Sequence, residues 1–337
     1  MNSKIDDVRG TKDYEFLDDF LNTFELNEKA SLNYDKFYAI CKKLFEQDDI
    51  EENERRIQDI FGIFDRDSDG VLNDHEWEIF REWLRITLQP VNVLIIVDVQ
   101  NDFIDGSLAL RNCGCGEDGV DVINPINRLI KECNWNKIIY SLDWHPENHI
   151  SFYDNLHLRE IHPDSKITQE NAKLFDTVLF KKPMIKQKLW PRHCVLNTWG
   201  AELHKDLIIE PSSEQIRKGQ NPEIEDYSVF CSKEPSVLKN VLSESHATHL
   251  YVCGLAYDVC VKSTCIDGLQ LGYSLAVIGD CCRGVDSDNV ECAKQEISDA
   301  GGLVTTSENV LWFLNARKRS LVMSHQSAKG LASVRFN

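Results

Sequence analysis

The sequence lacks any apolar stretch long enough to cross a bilayer. Its longest strictly apolar runs, such as residues 93–97, stop far short of the roughly 20 residues a spanning helix needs. It also lacks an excess of positive charge. With 37 Lys and Arg against 55 Asp and Glu, the net charge is −18, which argues against nucleic-acid and anionic-membrane partners, since both demand basic surfaces. The N-terminus, MNSKIDDVRGTKDYE, has no apolar core of the secretory kind. Twelve cysteines are present, but they have no regular spacing and include the adjacent pair Cys281 and Cys282, so they do not read as a disulfide framework. These absences leave a soluble protein with reduced thiols, expected in the cytoplasm with the nucleus as an alternative. A homo-oligomer is compatible with all of this.

What the chain does contain is enough for two unlike parts. Its 337 residues exceed a single small module. Residues 1–90 carry 23 acidic and 12 basic side chains, a net of −11, leaving −7 for the other 247. Through residues 13–88 apolar positions recur at three- and four-residue spacing, as in Phe37, Ile40, Cys41, Leu44 and in Trp77, Phe80, Leu84, Leu88, which predicts helices. Pro90 ends that pattern, and residues 91–97 form a mostly β-branched run suited to a buried parallel strand. Further short strands are predicted at 137–142, 177–180, 249–253 and 274–278, separated by helical patterns near 121–133, 258–270 and 287–299. Strand–helix alternation implies an α/β domain with a parallel sheet covered on both faces and ligands at the carboxyl ends of the strands. The expected domains are therefore 1–89, helical, and 90–317, α/β, followed by a loose polar and basic tail at 318–337.

Residues 65–76, DRDSDGVLNDHE, fit the twelve-residue EF-hand loop. Calcium takes six to eight oxygens, and here Asp65, Asp67 and Asp69 offer carboxylates, Val71 its carbonyl, Asn73 a direct or water-borne contact and Glu76 two oxygens. Gly70 permits the sharp turn at position six. Aligning Leu32 with Leu72 places a second loop at 25–36, where Ala30 replaces the glycine and Lys36 the bidentate acid, so this hand is expected to pack without binding.

Three segments after predicted strands carry reactive groups. Asp98 closes the first strand, as a site carboxylate or as a turn cap. Asp143 and His145 stand two apart at the end of another, a spacing that lets both face one metal, with His193 a candidate third ligand and His149 an optional further one. Cys260 falls where a strand gives way to a helix, where the helix dipole would lower its thiol pKa if it is not a buried structural cysteine. The Cys113–Gly114–Cys115–Gly116 segment reads as a glycine-rich loop.

In order, residues 97–103 (VDVQNDF), 141–152 (SLDWHPENHISF), 189–194 (LWPRHC), 217–230 (RKGQNPEIEDYSVF) and 252–264 (VCGLAYDVCVKST) resemble the nicotinamidase branch of the isochorismatase-like cysteine hydrolases. The resemblance spans roughly 91–315, and an EF-hand unit ahead of such a domain is similar to the layout of some animal nicotinamidases. It implies a catalytic set of Asp98, Lys218 and Cys260, and an oxyanion hole from the Ala256 and Cys260 amides beside a cis Leu255–Ala256 peptide. It also implies a metal, usually zinc, on Asp143, His145 and His193 that holds a pyridine nitrogen. Phe103, Trp190 and Tyr227 are candidates to sandwich the ring, or else core aromatics. The implied activity is hydrolysis of nicotinamide to nicotinate and ammonia in NAD salvage. The alternatives are another small-amide hydrolase of the same fold, or a calcium-binding protein with a vestigial hydrolase domain.

Overall fold

The predicted apolar stripes become three amphipathic helices, α1 (Tyr34–Leu44), α2 (Glu54–Phe64) and α3 (Asp74–Leu88), whose buried faces meet in one core. At its centre the rings of Phe37, Phe64, Phe80 and Trp83 lie 5.6 to 6.2 Å apart, tilted or edge to face. Strands β1 (Leu32–Asn33) and β2 (Val71–Leu72) pair antiparallel with Leu32 opposite Leu72. An all-α description therefore needs amending by this two-residue pair. The computed structural model describes residues 17, 19–24, 32–231, 236–316 and 318–335, so most of the 25–36 loop lies outside the described residues. The described residues divide into two units, one of those up to residue 90 with 272–274 and 318–335, the other of those in 91–271 and 275–316.

In the second unit, β3 (Asn92–Val97) is buried from Val93 onward, as a strand covered on both faces must be. Helix α4 (Ile123–Glu132) leads to β4 (Lys137–Asp143). After β5 (Thr177–Phe180), β6 (Ile185–Lys188) and β7 (Glu214–Lys218) come β8 (His249–Leu255), α5 (Lys262–Gln270) and β9 (Ser274–Arg283). Helix α6 (Ser287–Asp299), β10 (Leu303–Thr305) and α7 (Ser307–Asn315) close the unit. Six strands form one sheet in the order β10-β9-β8-β3-β4-β7, with β10–β9, β8–β3, β3–β4 and β4–β7 paired parallel. The 177–180 run departs from expectation. It forms a separate antiparallel hairpin with β6, because a Lys182–Pro183 turn folds it straight back on its neighbour. Strand β7, with Glu214, Gln215 and Arg217 exposed and Ile216 its one apolar residue, is too polar to read as a strand.

Sequence neighbours β3 and β4 lie side by side, whereas β8 joins the opposite flank of β3. The order reverses at β3, and such a reversal opens a crevice at the carboxyl edge.

The expected loose tail is a correction. Residues 321–335 form α8 (Leu321–Arg335), and Leu321 and Ala328 join the first unit's core. Its Ser, His and Gln residues disguised it, but they are accommodated in place. The Leu321 amide donates to Asp49 Oδ2 (2.7 Å), Trp83 Nε1 donates to Ser324 O (2.8 Å), and Arg56 meets His325 Nδ1 (3.1 Å). Among the described residues no helix is long and apolar enough to cross a membrane, and all twelve cysteines are free.

Candidate active site

Parallel strands all end on one edge, so Asp98 after β3, Asp143 at the end of β4, Lys218 at the end of β7 and Cys260 beyond β8 arrive together. The backbone of Asp98 turns off the sheet at φ +49°, a left-handed conformation that Asp tolerates better than most residues. Ser141 donates to Asp98 Oδ1 (2.6 Å), leaving Oδ2, which faces Lys218 Nζ at 3.0 Å, without a well-formed hydrogen bond. Lys218 Nζ also reaches Cys260 Sγ at 3.3 Å and pairs with Asp143 Oδ1. All four side chains are buried, and ligand atoms of Asp98, Asp143 and Cys260 lie within 4.8 Å of one another.

Burial dominates the electrostatics here. It raises Asp98 to about 6 even against the Lys218 ammonium. It also pushes the Cys260 thiol well up, with Lys218 opposing only in part. This corrects the expectation of a thiol lowered by a helix dipole. Cys260 sits in a five-residue π-helical turn, Tyr257–Val261, ahead of α5, and lies deep enough that desolvation outweighs the dipole. Burial would depress Lys218, but Asp143 and Asp98 together hold it above the ordinary lysine range. Asp143, despite its burial, is held below the usual carboxylate range by Lys218 and His145.

Asp143 faces two ways. Its Oδ2 lies 3.5 Å from His145 Nε2 and 3.8 Å from His193 Nε2, and ligand atoms of the three residues fall within 4.8 Å of one another. His145 Nδ1 donates to Gly219 O (2.9 Å) and His193 Nδ1 to Pro191 O (2.7 Å), so each ring turns its Nε2 inward toward Asp143. His145 Nε2 is buried with no hydrogen-bond partner. Gly219 is required beside it, because a Cβ there would come within 2.3 Å of the His145 ring. His149 Nε2 donates to Ile224 O (3.2 Å) and Nδ1 meets Ser151 Oγ (2.8 Å), while ligand atoms of His149, His145 and Glu225 fall within 4.8 Å of one another. Burial lowers His149 to about 2, the neutral ring.

Phe103, Asp143, Trp190, His193, Tyr227 and Cys260 line one pocket. The three predicted aromatics thus share one pocket, where Trp190 Nε1 donates to the Tyr227 hydroxyl (3.0 Å) and the Phe103 and His193 rings lie 5.5 Å apart. The Leu255–Ala256 peptide is cis, as the resemblance implied. Val259 and Val261 amides both close onto Ala256 O at 3.1 Å, which sets the turn carrying Cys260 against the pocket.

Sequence reasoning missed several contributors. Glu225 lines the cavity and lies near His145 and His149, its carboxyl raised by burial. It is one of several acids in its segment, with no local signal to single it out. Asp258 accepts from the Val285 amide (2.8 Å) and the Asp286 amide (3.2 Å), fixing the Val285 wall of the pocket. The 113–116 loop packs against that same turn through a Cys115 amide bond to Val285 O (2.9 Å).

With the geometry established, the kinship is direct. Residues 92–309 match the isochorismatase domain family, well over half of the chain, and the protein belongs to that family. Among its relatives are nicotinamidases. That of Escherichia coli is 36% identical over 225 residues, spanning 64% of this chain and 95% of the enzyme, and that of Saccharomyces cerevisiae is 33% identical over 208, spanning 59% and 90%. Among solved structures, the Acinetobacter baumanii nicotinamidase/pyrazinamidase is 34% identical and covers 66% of this chain and 99% of its own, with a TM-score of 0.55.

Proposed function

We propose that this protein hydrolyses nicotinamide to nicotinate and ammonia, in NAD salvage, through a thioester on Cys260. The observation that carries this reading is the buried Asp98–Lys218–Cys260 cluster opening onto an aromatic pocket, in a chain 31–36% identical to several nicotinamidases. An amide is a poor electrophile, so the reaction is divided into acylation and deacylation. Asp98 Oδ2 accepts the Cys260 proton as the sulfur attacks the carboxamide carbon. That transfer creates no new net charge: before and after it the cluster holds one ammonium and two anions, with the second anion moving from Asp98 to sulfur beside Lys218. Moving charge next to a fixed cation is far cheaper in a buried site than generating it.

The tetrahedral oxyanion lies against the Ala256 and Cys260 amides, where one donor contributes about 3 kcal/mol in comparable sites. Asp98 returns the proton to departing ammonia, then takes one from the water that cleaves the thioester. Phe103, Trp190 and Tyr227 flank the flat ring.

Asp143, His145 and His193 would hold a divalent cation, and two imidazoles with one carboxylate favour zinc. The orphaned, inward-facing His145 Nε2 is the observation that fits them to it. When bound, the cation supplies a Lewis-acid contact for a ring nitrogen. The test of the covalent route is hydroxylamine: it intercepts a thioester and yields nicotinohydroxamate. Turnover of nicotinamide with no hydroxamate at any hydroxylamine concentration would argue against an acyl-enzyme.

In the first unit we infer an EF-hand with calcium at the 65–76 loop. Supporting this, ligand oxygens of Asp65, Asp67 and Glu76 lie within 4.8 Å of one another, and Asp65 Oδ1 is buried without a partner. Gly70 turns at φ +86°, and α2 and α3 flank the loop. Asp69 Oδ1 is spent on the Val71 amide (2.9 Å), while Asn73 caps α3. Isothermal calorimetry with calcium tests this, and no heat from the wild type would refute it.

A further inference from the structure

Strand β4 should lose its last rung to β3. The parallel ladder runs through the Asp98 amide donating to Ser141 O (3.2 Å), and the next bond in that pattern joins the Asp143 amide to Asp98 O. Asp98 instead turns at φ +49°, and its carbonyl accepts from the Gln100 amide (2.8 Å). Asp143 is thereby left with an N–H and a C=O on its β3 side and no strand to pair with them.

The Gln100 side chain takes both. Its Oε1 accepts from the Asp143 amide and its Nε2 donates to Asp143 O, each at 2.8 Å, while Nε2 also donates to Ala201 O at 2.8 Å. Gln100 is fully buried, so water cannot substitute for these bonds. A carboxamide presents an acceptor and a donor in the spacing of a peptide unit and carries no charge at any pH. On the opposite side, Asp143 is registered with Lys218 of β7. Gln100 therefore fixes the backbone of the residue whose two carboxylate oxygens divide between Lys218 and the two histidines.

We propose that Gln100 is a positioning residue for the hydrolase: a side-chain rung that holds Asp143 so that one oxygen serves the Lys218–Cys260 cluster and the other the cation set. This rests on the hydrolytic and metal readings above. Its consequence is that one neutral substitution, remote from substrate, loosens both halves of the site together.

The test compares Gln100→Met, Gln100→Glu and Asn101→Ala. Asn101 Nδ2 donates to Trp199 O (2.8 Å) on the same 199–201 turn but makes no hydrogen bond to Asp143, so it reports what loosening that turn does alone. Two readouts are taken, zinc affinity by chelator competition and the rate of Cys260 alkylation by iodoacetamide in the metal-free protein. Gln100→Met is expected to weaken zinc about 10- to 100-fold, the cost typical of losing a partner behind a metal ligand, and to change the alkylation rate several-fold. Gln100→Glu, a neutral acid when buried, keeps the acceptor and one donor and should fall between. It keeps the proposal testable should Gln100→Met not fold. Asn101→Ala should stay within about threefold of wild type in both. Wild-type values in either Gln100 variant, or equal losses in Asn101→Ala, would overturn the proposal. Wild type that neither binds zinc nor turns over nicotinamide would overturn the readings beneath it instead.

Discussion

The pocket of the hydrolase unit and the 65–76 loop are both built from carboxylates, yet they manage negative charge in opposite ways. In the pocket, Asp98 and Asp143 are buried and each is set against Lys218 or a histidine, so the charge is compensated within the protein. In the loop, Asp67 and Asp69 are exposed and each accepts a backbone amide, from Asp69 and Val71 respectively. On the calcium reading proposed above, an outside cation would compensate much of the loop's charge. The pocket carries its own ammonium, and a group in it is worth more because it cannot fall back on water.

That contrast can be broken or sharpened in order of size. Cys260→Ala should lower kcat for nicotinamide by at least about 10⁴-fold, since a covalent route without its nucleophile retains only binding and oxyanion contributions. Steady-state ammonia release measures it. Lys218→Met leaves two buried carboxylates without their cation and should destabilise the protein by roughly 3–5 kcal/mol, read as a lowered urea midpoint, with activity lost alongside. By contrast, Glu76→Gln in the loop exchanges one of the two oxygens that accept the Arg66 and Asn73 amides for a donor, and should cost the calcium-free protein about 1–3 kcal/mol, less than Lys218→Met. It should abolish the stabilisation that calcium gives wild type, about 2.7 kcal/mol at 100 times Kd.

The pH profile tests the pocket from a third side. Asp98 is raised to about 6, so its base form prevails above that pH and is lost below it. Accordingly kcat/KM should fall about tenfold per unit as pH drops beneath 6, and a profile flat from pH 7 to 4.5 would remove Asp98 as the base. The smallest effect belongs to Trp190→Phe, which deletes the 3.0 Å bond to the Tyr227 hydroxyl while keeping an aromatic wall. About 1 kcal/mol, or a fivefold rise in KM with kcat nearly constant, is expected.

The same contrast governs what the sequence discloses. The 65–76 loop is twelve contiguous residues whose chemistry and spacing are visible together, and β3 is legible because a strand covered on both faces must be apolar throughout. The pocket is assembled from ends of four strands, so Asp98, Lys218 and Cys260 were connected only through family resemblance. Lys218 lies on a strand too polar to look like one. Gln100 and Glu225 escaped because a buried amide or acid carries no periodic signature; only the bonds show its use. Helix α8 was missed for a related reason, since its serines and His325 look solvent-bound until their partners are in place. The lowered thiol expected of Cys260 failed because depth of burial is not written in local spacing.

The most direct test is to incubate freshly reduced, zinc-loaded protein with nicotinamide and to quantify nicotinate and ammonia together, alongside Cys260→Ala. Equimolar release of both products by wild type, reduced to the uncatalysed level in Cys260→Ala, is the predicted result. No release by wild type, or undiminished release by Cys260→Ala, would contradict it.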